Sequence, residues 1–324
     1  MTAYINSAAL LHNTIIAQSF APDSKLIAVI KANAYGHGMV DIAKILSTVV
    51  YGFAVARLDE ALLLRENGIS QTIIVMSALL NTETFDSCMK NNLTVVIHTL
   101  NIPIPEGLDY WINIDSGMHR LGLSIEELKA NPQLSGVLMT HFKGSDNKRQ
   151  TEYFKRVINA RPGVDVSISN SGALKRRISQ EFIRPGLMLY GVCVNNQTLI
   201  PVMTLKAPII SMRLVKSGET VGYNGTWKAE RDSIIATVGI GYGDGYPRHA
   251  PNGTQVMLHG RRYPLVGSVS MDTLCINITN IHSSVRIGDQ VELWGENISV
   301  NEIPNTFAYE LLSGVSQRVK RIIV

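Results

Sequence analysis

The chain has 324 residues, of which 45% are hydrophobic and 17% charged, and its formal net charge is +4. This length accommodates a barrel and a second domain. The positive charge is spread over short basic pairs without interleaved aromatic residues, so the sequence does not indicate a nucleic-acid-binding surface.

The cysteines and the N-terminal segment bear on the compartment. Cys88, Cys193 and Cys275 are widely separated and follow no metal-binding spacing, which favours a reducing environment. No basic residue precedes an apolar segment before Lys25, and no apolar run reaches membrane-spanning length. We therefore expect a cytoplasmic protein without signal peptide or membrane anchor.

The first strong strand signal is the apolar run Leu26–Ile30, which ends at Lys31 and is followed by small residues and the Gly36/Gly38 pair. Such a run is typical of a buried parallel strand. A lysine at its end either extends to solvent or is partly desolvated, and desolvation makes the amine nucleophilic toward aldehydes. For a lysine considered alone, a surface position is the better interpretation.

Eight short apolar, β-branched runs lie between residue 26 and about residue 186, and amphipathic stretches separate most of them. The repeated strand–helix order predicts a parallel sheet, and eight repeats favour a closed (β/α)8 TIM barrel over an open Rossmann sheet. The first run is not followed by a GxGxxG sequence, which argues against a dinucleotide site. The runs are 26–30, 49–55, 72–76, 93–97, 110–114, 136–140, 164–168 and 182–184.

The pattern changes near residue 205. Short alternating segments separated by glycine, proline and asparagine turns follow, which predicts a mainly β C-terminal domain. We expect an α/β barrel domain over residues 1–205 and the β domain over residues 206–324. The stretch 303–319 is a candidate final helix.

Polar residues follow several of the predicted strands. Active sites of TIM barrels lie at the C-terminal ends of the strands, so these side chains should share one rim. For His141 alone, a structural histidine would be the favoured interpretation, but the set supplies an amine, hydroxyls and cations, as a phosphorylated aldehyde cofactor requires. The residues are Lys31, Arg120, His141, Ser171 and Arg184.

Several motifs closely resemble those of the alanine racemase family, and together they cover essentially the whole chain. The first is AVIKANAYGHG around Lys31. The others are DSGMHRLG at 115–122, THF at 140–142, NSGA at 170–173, IRPGLMLYG at 183–191, GYGDGY at 241–246, SMD at 270–272 and the Tyr309–Glu310 pair.

The resemblance implies a barrel plus β-domain enzyme that binds pyridoxal 5'-phosphate (PLP) as a Schiff base on Lys31. It further implies that Arg120 faces the phenolic oxygen of the cofactor and the substrate carboxylate, and that Arg184 approaches the pyridine nitrogen. The remaining cofactor contacts that it implies are Tyr35, His141, Ser171, Gly186, Leu187 and Tyr309. The implied product, D-alanine, would supply peptidoglycan.

Racemisation needs an acid and a base on opposite faces of the substrate. Lys31 serves one face, and Tyr242 is the candidate for the other. The resemblance implies that Tyr242, Tyr223 and Met271 come from the partner subunit of a homodimer. A permanently charged Arg184 disfavours protonation of the pyridine, which weakens the electron sink and favours rapid reprotonation over transamination.

One position departs from a common pattern of the family. Many relatives have a carboxylated lysine seven residues before the arginine that matches Arg120, whereas this chain has Asn113. We hypothesise that a bound anion such as chloride lies between Asn113 and Arg120. The alternatives left open are a broad-specificity amino-acid racemase, a PLP decarboxylase of the same architecture and a non-catalytic PLP carrier.

Overall fold

The structure is a computed structural model that describes residues 1–144, 148–168, 180–192, 198–279 and 284–324. The predicted phosphate ligand Ser171 and one of the three cysteines, Cys193, lie outside the described residues. Among the helices in these ranges, none combines the length and apolarity needed to cross a bilayer.

Eight parallel strands form a nearly closed barrel, which confirms the predicted fold class. Each strand coincides with one of the eight apolar runs, and most of their residues are buried. The strands are β2 (Lys25–Val29), β3 (Gly52–Val55), β4 (Thr72–Val75), β5 (Thr94–Ile97), β6 (Tyr110–Asn113), β7 (Val137–Met139), β8 (Val166–Ser167) and β9 (Phe182–Ile183). Seven strand pairings join them in the order β8-β7-β6-β5-β4-β3-β2-β9.

Side chains join the two ends of this sheet. The Ser167 hydroxyl, at the end of β8, donates to the carbonyl of Phe182 in β9 at 2.8 Å. Arg184, directly after β9, donates to the carbonyl of Ser167 at 2.8 Å. Both strands are only two residues long, so these side-chain bonds connect them where the backbone pairing is short.

Helices separate most of the barrel strands, and several begin at side-chain caps. Asn81 accepts a hydrogen bond from the amide of Thr84, and Ser124 accepts one from Glu127. The segment 98–109 contains no helix. The barrel helices are α1 (Ser7–Ser19), the short turn α2 (Lys31–Tyr35), α3 (Met39–Leu46), α4 (Leu58–Glu66), α5 (Thr82–Lys90), α6 (Ile125–Ala130) and α7 (Lys148–Ala160).

The C-terminal part is mainly β, as the alternating pattern predicts. The long strand β10 (Met203–Val215) is its centre and pairs antiparallel with three others. Those and the remaining strands are β1 (Thr2–Ile5), β11 (Thr220–Val221), β12 (Trp227–Lys228), β13 (Ser233–Val238), β14 (Gln255–Leu258), β15 (Arg261–Pro264), β16 (Leu274–Asn277), β17 (Gln290–Trp294) and β18 (Lys320–Ile323).

Two features of this part differ from the sequence analysis. The N-terminal strand β1 belongs to the C-terminal sheet, between β10 and β18. The stretch 303–319 is not one helix: only α8 (Ala308–Gly314) is helical. Val315 leaves the helical region at ψ 111°, and the chain then turns into β18.

Candidate active site

A cavity of about 250 Å³ opens at the C-terminal ends of the barrel strands. Eight of the predicted site residues line it, although they come from distant parts of the sequence. They are Lys31, Tyr35, Arg120, His141, Arg184, Gly186, Leu187 and Tyr309. The structure therefore brings together most of the candidate set at the rim where this fold places its active sites.

Lys31 stands where β2 ends and the left-handed turn α2 begins. The next four residues, Ala32 to Tyr35, all have φ between 51° and 54°. This conformation costs about 1–2 kcal/mol per residue that carries a side chain. Contacts from other elements hold it: the Ala32 amide donates to Glu60 at 2.6 Å, and the Asn33 side chain accepts from the Met39 amide at 2.8 Å.

The surroundings of the Lys31 amine shift it toward its neutral, nucleophilic form. Burial lowers the pKa of Lys31, and the positive charge of Arg120 lowers it further, whereas the carboxylate of Glu60 opposes the shift. A lower pKa increases the fraction of unprotonated amine at neutral pH. This is the environment that the sequence analysis expects of an amine that attacks an aldehyde.

Tyr35 and the backbone after Arg184 form the part of the cavity suited to a phosphate. Tyr35 is buried, its ring lies 5.0 Å from that of Tyr190, and burial raises the pKa of its phenol, so it remains a hydrogen-bond donor. A Cβ added to Gly186 would lie 2.7 Å from the Tyr35 hydroxyl. Glycine at this position therefore leaves room beside the phenol for an anionic group.

Arg184 is 4% exposed and is held by the ends of two neighbouring strands. Its guanidinium donates to the carbonyls of Thr140 at 2.7 Å and Ser167 at 2.8 Å, and also to the Ser167 hydroxyl. Burial lowers its pKa to about 10, so it stays charged at neutral pH. These contacts fix the orientation of the planar group toward the cavity wall.

His141 lies in the same cavity and is neutral at physiological pH. Burial lowers its pKa to about 4, and the charges of Arg184, Arg120 and Lys31 act in the same direction. Three cationic side chains thus surround one small volume. The nearby carboxylate of Asp115 is occupied by the amides of residues 117–119, at 2.9 to 3.0 Å. Such a cavity favours ligands with negative charge.

Asn113, the position that departs from the family pattern, also lines the cavity with Arg120. Its Nδ2 donates to the carbonyl of Leu121 at 2.7 Å. Its Oδ1 is buried and has no hydrogen-bond partner among the described residues. In this orientation the amide nitrogen is bonded to Leu121, and the buried oxygen can only accept a hydrogen bond.

Tyr309 reaches the cavity from helix α8, so the C-terminal part contributes to the site. The approach between α8 and the Lys31 turn is close: a Cβ on Gly36, which has φ 80°, would lie 1.9 Å from the carbonyl of Leu312. Arg321 donates to the Gly36 carbonyl at 3.0 Å and to the carbonyls of Val315, Ser316 and Val319 at 2.8 Å.

The structure does not place Tyr242, Tyr223 and Met271 in this cavity. They lie together on the surface of the C-terminal domain and are 39%, 72% and 53% exposed. The amide of Tyr242 donates to Ser270, that of Gly243 to Met271, and the Ser268 hydroxyl to the Tyr223 carbonyl. The guanidinium of Arg248 lies 5.7 Å from the centre of the Tyr242 ring.

Sequence reasoning missed Glu60, whose carboxylate bonds to the residue after Lys31. Its signal in the sequence is weak, because the helix that carries it is preceded by Arg57 and not by the serine or threonine of a typical capping box. Met76, Ser77 and Met118 were also not singled out, although they line the cavity.

Two family descriptions match nearly the whole chain: "Alanine racemase, N-terminal domain" over residues 5–194 and "Alanine racemase, C-terminal domain" over residues 202–323. The chain belongs to the alanine racemase family. Among its relatives, alanine racemase of Alteromonas mediterranea is 40% identical, with 99% of this chain and 98% of that protein covered. That of Pasteurella multocida is 38% identical, with coverages of 98% and 97%.

Solved structures of the alanine racemase family have the same fold. The biosynthetic alanine racemase of Pseudomonas aeruginosa matches with a TM-score of 0.92 and 36% identity, covering 100% of this chain and 99% of that chain. An alanine racemase of Bartonella henselae, described with covalently bound pyridoxal phosphate, matches with a TM-score of 0.90 and 27% identity, with the same coverages.

The cavity fits the cofactor of the alanine racemase family. PLP carries an aldehyde, a phosphate, a phenolic oxygen and a pyridine nitrogen. The cavity offers a partly desolvated amine at Lys31, a phenol donor and a glycine-lined recess at Tyr35 and Gly186, and the two guanidinium groups of Arg120 and Arg184. The excess of positive charge matches the negative charges of the phosphate and of a substrate carboxylate.

Proposed function

We propose that this protein is an alanine racemase that interconverts L-alanine and D-alanine with PLP bound at Lys31. The observation that carries the proposal is the convergence of Lys31, Arg120 and Arg184 with a phenol on one cavity at the barrel mouth. A decarboxylase of the same architecture and a non-catalytic PLP carrier are not favoured, because relatives over the full chain are alanine racemases.

In this proposal Lys31, Arg120 and Arg184 each have a different role in the reaction. When bound at Lys31, PLP would withdraw electrons from the α-carbon of the substrate and make its hydrogen more acidic. Lys31, with its lowered pKa, removes or returns the proton on one face. Arg120 binds the substrate carboxylate. Arg184, charged and held by strand carbonyls, would donate a hydrogen bond to the ring nitrogen and would keep its protons at neutral pH.

The proton on the opposite face requires a second group, and we assign it to Tyr242 of a second subunit. In the described part of the chain, Tyr242, Tyr223 and Met271 gather on an exposed patch away from the cavity that the same chain forms. We infer a homodimer in which residues 206–324 of one subunit cover the barrel of the other, formed by residues 1–205. In this arrangement the patch lies against the cavity of the partner subunit. Ser171 is assigned to the phosphate on the NSGA motif alone.

We also propose that chloride or a similar anion binds between Asn113 and Arg120. Chloride there requires the Asn113 amide to turn its nitrogen toward the cavity and to give up the bond to Leu121. Anomalous scattering from crystals soaked in bromide tests whether an anion binds at this position. A peak between the two side chains supports an anion, whereas ordered density without a peak contradicts it.

The resemblance further supports a cytoplasmic enzyme whose D-alanine is used for peptidoglycan. The reaction itself is tested by circular dichroism of L-alanine incubated with the purified protein and PLP. We expect the signal of the amino acid to decay to zero. Decay of the signal with release of carbon dioxide would indicate a decarboxylase, because decarboxylation of alanine leaves an achiral amine, and no change with any amino acid would indicate a carrier. Decay with several larger amino acids would indicate a broad-specificity racemase.

A further inference from the structure

Glu60 binds the chain at the point where the Lys31 strand becomes a left-handed turn. Its Oε1 accepts a hydrogen bond from the amide of Ala32 at 2.6 Å. Its Oε2 accepts from the amides of Ala56 at 2.8 Å and Arg57 at 3.1 Å. One carboxylate therefore joins the end of β2 to the end of β3 and to the start of α4.

The location of these bonds matters because one of them holds the residue directly after Lys31. The residue after it must adopt φ 52°, which is strained for alanine. The Ile30 amide is held by the Ala54 carbonyl at 2.9 Å, on the other side of Lys31. The bond from Ala32 to Glu60 thus fixes the chain on the C-terminal side of Lys31, and with it the direction of the lysine side chain.

We propose that Glu60 is a positioning residue for Lys31, which aims the lysine amine at the cofactor aldehyde through its bond to the Ala32 amide. This inference rests on the proposed role of Lys31. Glu60 does not enter the reaction; it acts through the backbone and through its charge. A carboxylate suits the task because it accepts from three amides at once, whereas a glutamine would place its NH2 group against one or more N–H donors.

The charge of Glu60 gives the proposal a second, separable consequence. The carboxylate favours the protonated form of Lys31 and so opposes the effect of burial on the pKa of the amine. Removing the charge should therefore move the titration of Lys31 to lower pH, while loss of positioning should slow the reaction of the neutral amine. A purely structural role in capping α4 would leave the rate of the neutral amine unchanged in folded protein.

Glu127 provides a matched control. It is the third residue of helix α6, and its carboxylate accepts from the amide of Ser124 at 2.7 Å, as Glu60 accepts from Arg57 at the start of α4. Glu127→Gln and Glu60→Gln therefore each weaken a carboxylate cap on a barrel helix. Only Glu60 also bonds to the residue after Lys31.

The experiment measures the rate at which apo protein binds PLP covalently, as a function of pH. The Lys31 amine adds to the aldehyde carbon, and loss of one water leaves a C=N bond that borohydride traps and mass spectrometry locates. In the profile of rate against pH, the plateau at high pH gives the rate of the neutral amine, and the midpoint gives the titration of Lys31. For Glu60→Gln we expect the plateau rate to fall by about tenfold and the midpoint to move to lower pH. Glu127→Gln should change neither, although both variants should melt at lower temperature.

The outcomes separate this inference from the proposed function. If wild-type protein forms no adduct at Lys31, the proposed function fails. If wild-type protein reacts and Glu60→Gln matches its plateau rate, Glu60 does not position Lys31 and the inference is overturned, whether or not the midpoint moves. Should Glu60→Gln be too unstable to study, Ala32→Gly/Glu60→Gln replaces it, because glycine adopts the left-handed φ without strain. The same slow rate and lower midpoint are expected, and wild-type values would again overturn the inference.

Discussion

The ring of Tyr309 lies 5.9 Å from the ring of Tyr35, at an interplanar angle of 48°. The first ring belongs to helix α8 near the end of the chain, and the second belongs to the turn that follows Lys31. Gly36 permits this approach, because any side chain at that position would collide with the Leu312 carbonyl. The C-terminal segment therefore packs directly on the turn that presents the lysine, and both parts of the chain shape one cavity.

The role of Lys31 is tested by Lys31→Ala. We expect the variant to lose covalent PLP and its yellow colour, because no other described cavity residue offers an amine. Lys44→Ala is the control, since Lys44 is exposed on helix α3. Absorbance of the purified proteins and mass spectra after borohydride reduction provide the measurement. A yellow adduct that persists in Lys31→Ala would show that the lysine is wrongly assigned.

The assignment of Tyr242 is tested by comparing two phenols of the same motif. Tyr242→Phe should retain PLP but should slow exchange of the α-hydrogen with solvent more for L-alanine than for D-alanine, because one face of the substrate loses its proton carrier. Tyr246→Phe should have little effect: Tyr246 is buried, and its hydroxyl has no hydrogen-bond partner among the described residues. Deuterium uptake from heavy water, measured separately with each enantiomer, distinguishes them. Equal slowing of this exchange for the two enantiomers in Tyr242→Phe would count against the two-base assignment.

The recess beside Tyr35 is tested by Gly186→Ala. The added Cβ would lie 2.7 Å from the Tyr35 hydroxyl, so the variant should bind PLP at least tenfold more weakly, a loss of about 1.4 kcal/mol or more. Gly314→Ala is the control, since its Cβ would meet only an ordinary contact at 3.9 Å. Titration of each apo protein with PLP provides the affinities. Unchanged affinity in Gly186→Ala would remove this recess from the cofactor site.

His37 should make stability depend on pH. The residue is fully buried beside Tyr190, and burial lowers its pKa from 6.5 to about 4. Below pH 6.5 the unfolded chain binds a proton at His37 more readily than the folded chain does. The contribution of His37 to the free energy of unfolding is therefore complete above pH 6.5 and is lost as the pH falls toward 4. The slope is at most about 1.4 kcal/mol per pH unit.

The measurement for His37 is the free energy of unfolding in urea at several pH values, for wild-type apo protein and His37→Asn. We expect the variant to be less stable at neutral pH and to show a flatter dependence between pH 6.5 and 4. Comparing the two slopes removes the contribution of the other histidines. Identical slopes would mean that His37 is protonated alike in the folded and unfolded chains.

The barrel was predictable because each of its strands is a short apolar run with β-branched residues, and because reactive side chains such as Lys31 and Arg184 follow directly after such runs. The pairing of β1 with β10 and β18 was not predictable, since Thr2–Ile5 is too short to show a partner roughly two hundred or more residues away. The left-handed turn from Ala32 to Tyr35 has little signal in residue type, because alanine and tyrosine normally avoid positive φ and only Asn33 is of a type that tolerates it.

The position of Tyr242 relative to the cavity shows the limit of reasoning from one chain. Its GYGDGY motif indicated a functional residue, but the described structure places it on an exposed surface of the C-terminal domain. Whether this surface meets the cavity depends on the arrangement of two subunits. Periodicity and spacing within one sequence carry no information on that arrangement.

The most direct test of the account mixes two inactive variants, Lys31→Ala and Tyr242→Phe, under conditions that exchange subunits. If each site combines Lys31 of one subunit with Tyr242 of the other, every mixed dimer contains one intact site, and an equal mixture should recover about a quarter of the wild-type rate from L-alanine. If both residues belong to one chain, no intact site forms. Activity that stays at the level of the separate variants after proven exchange would contradict the shared site.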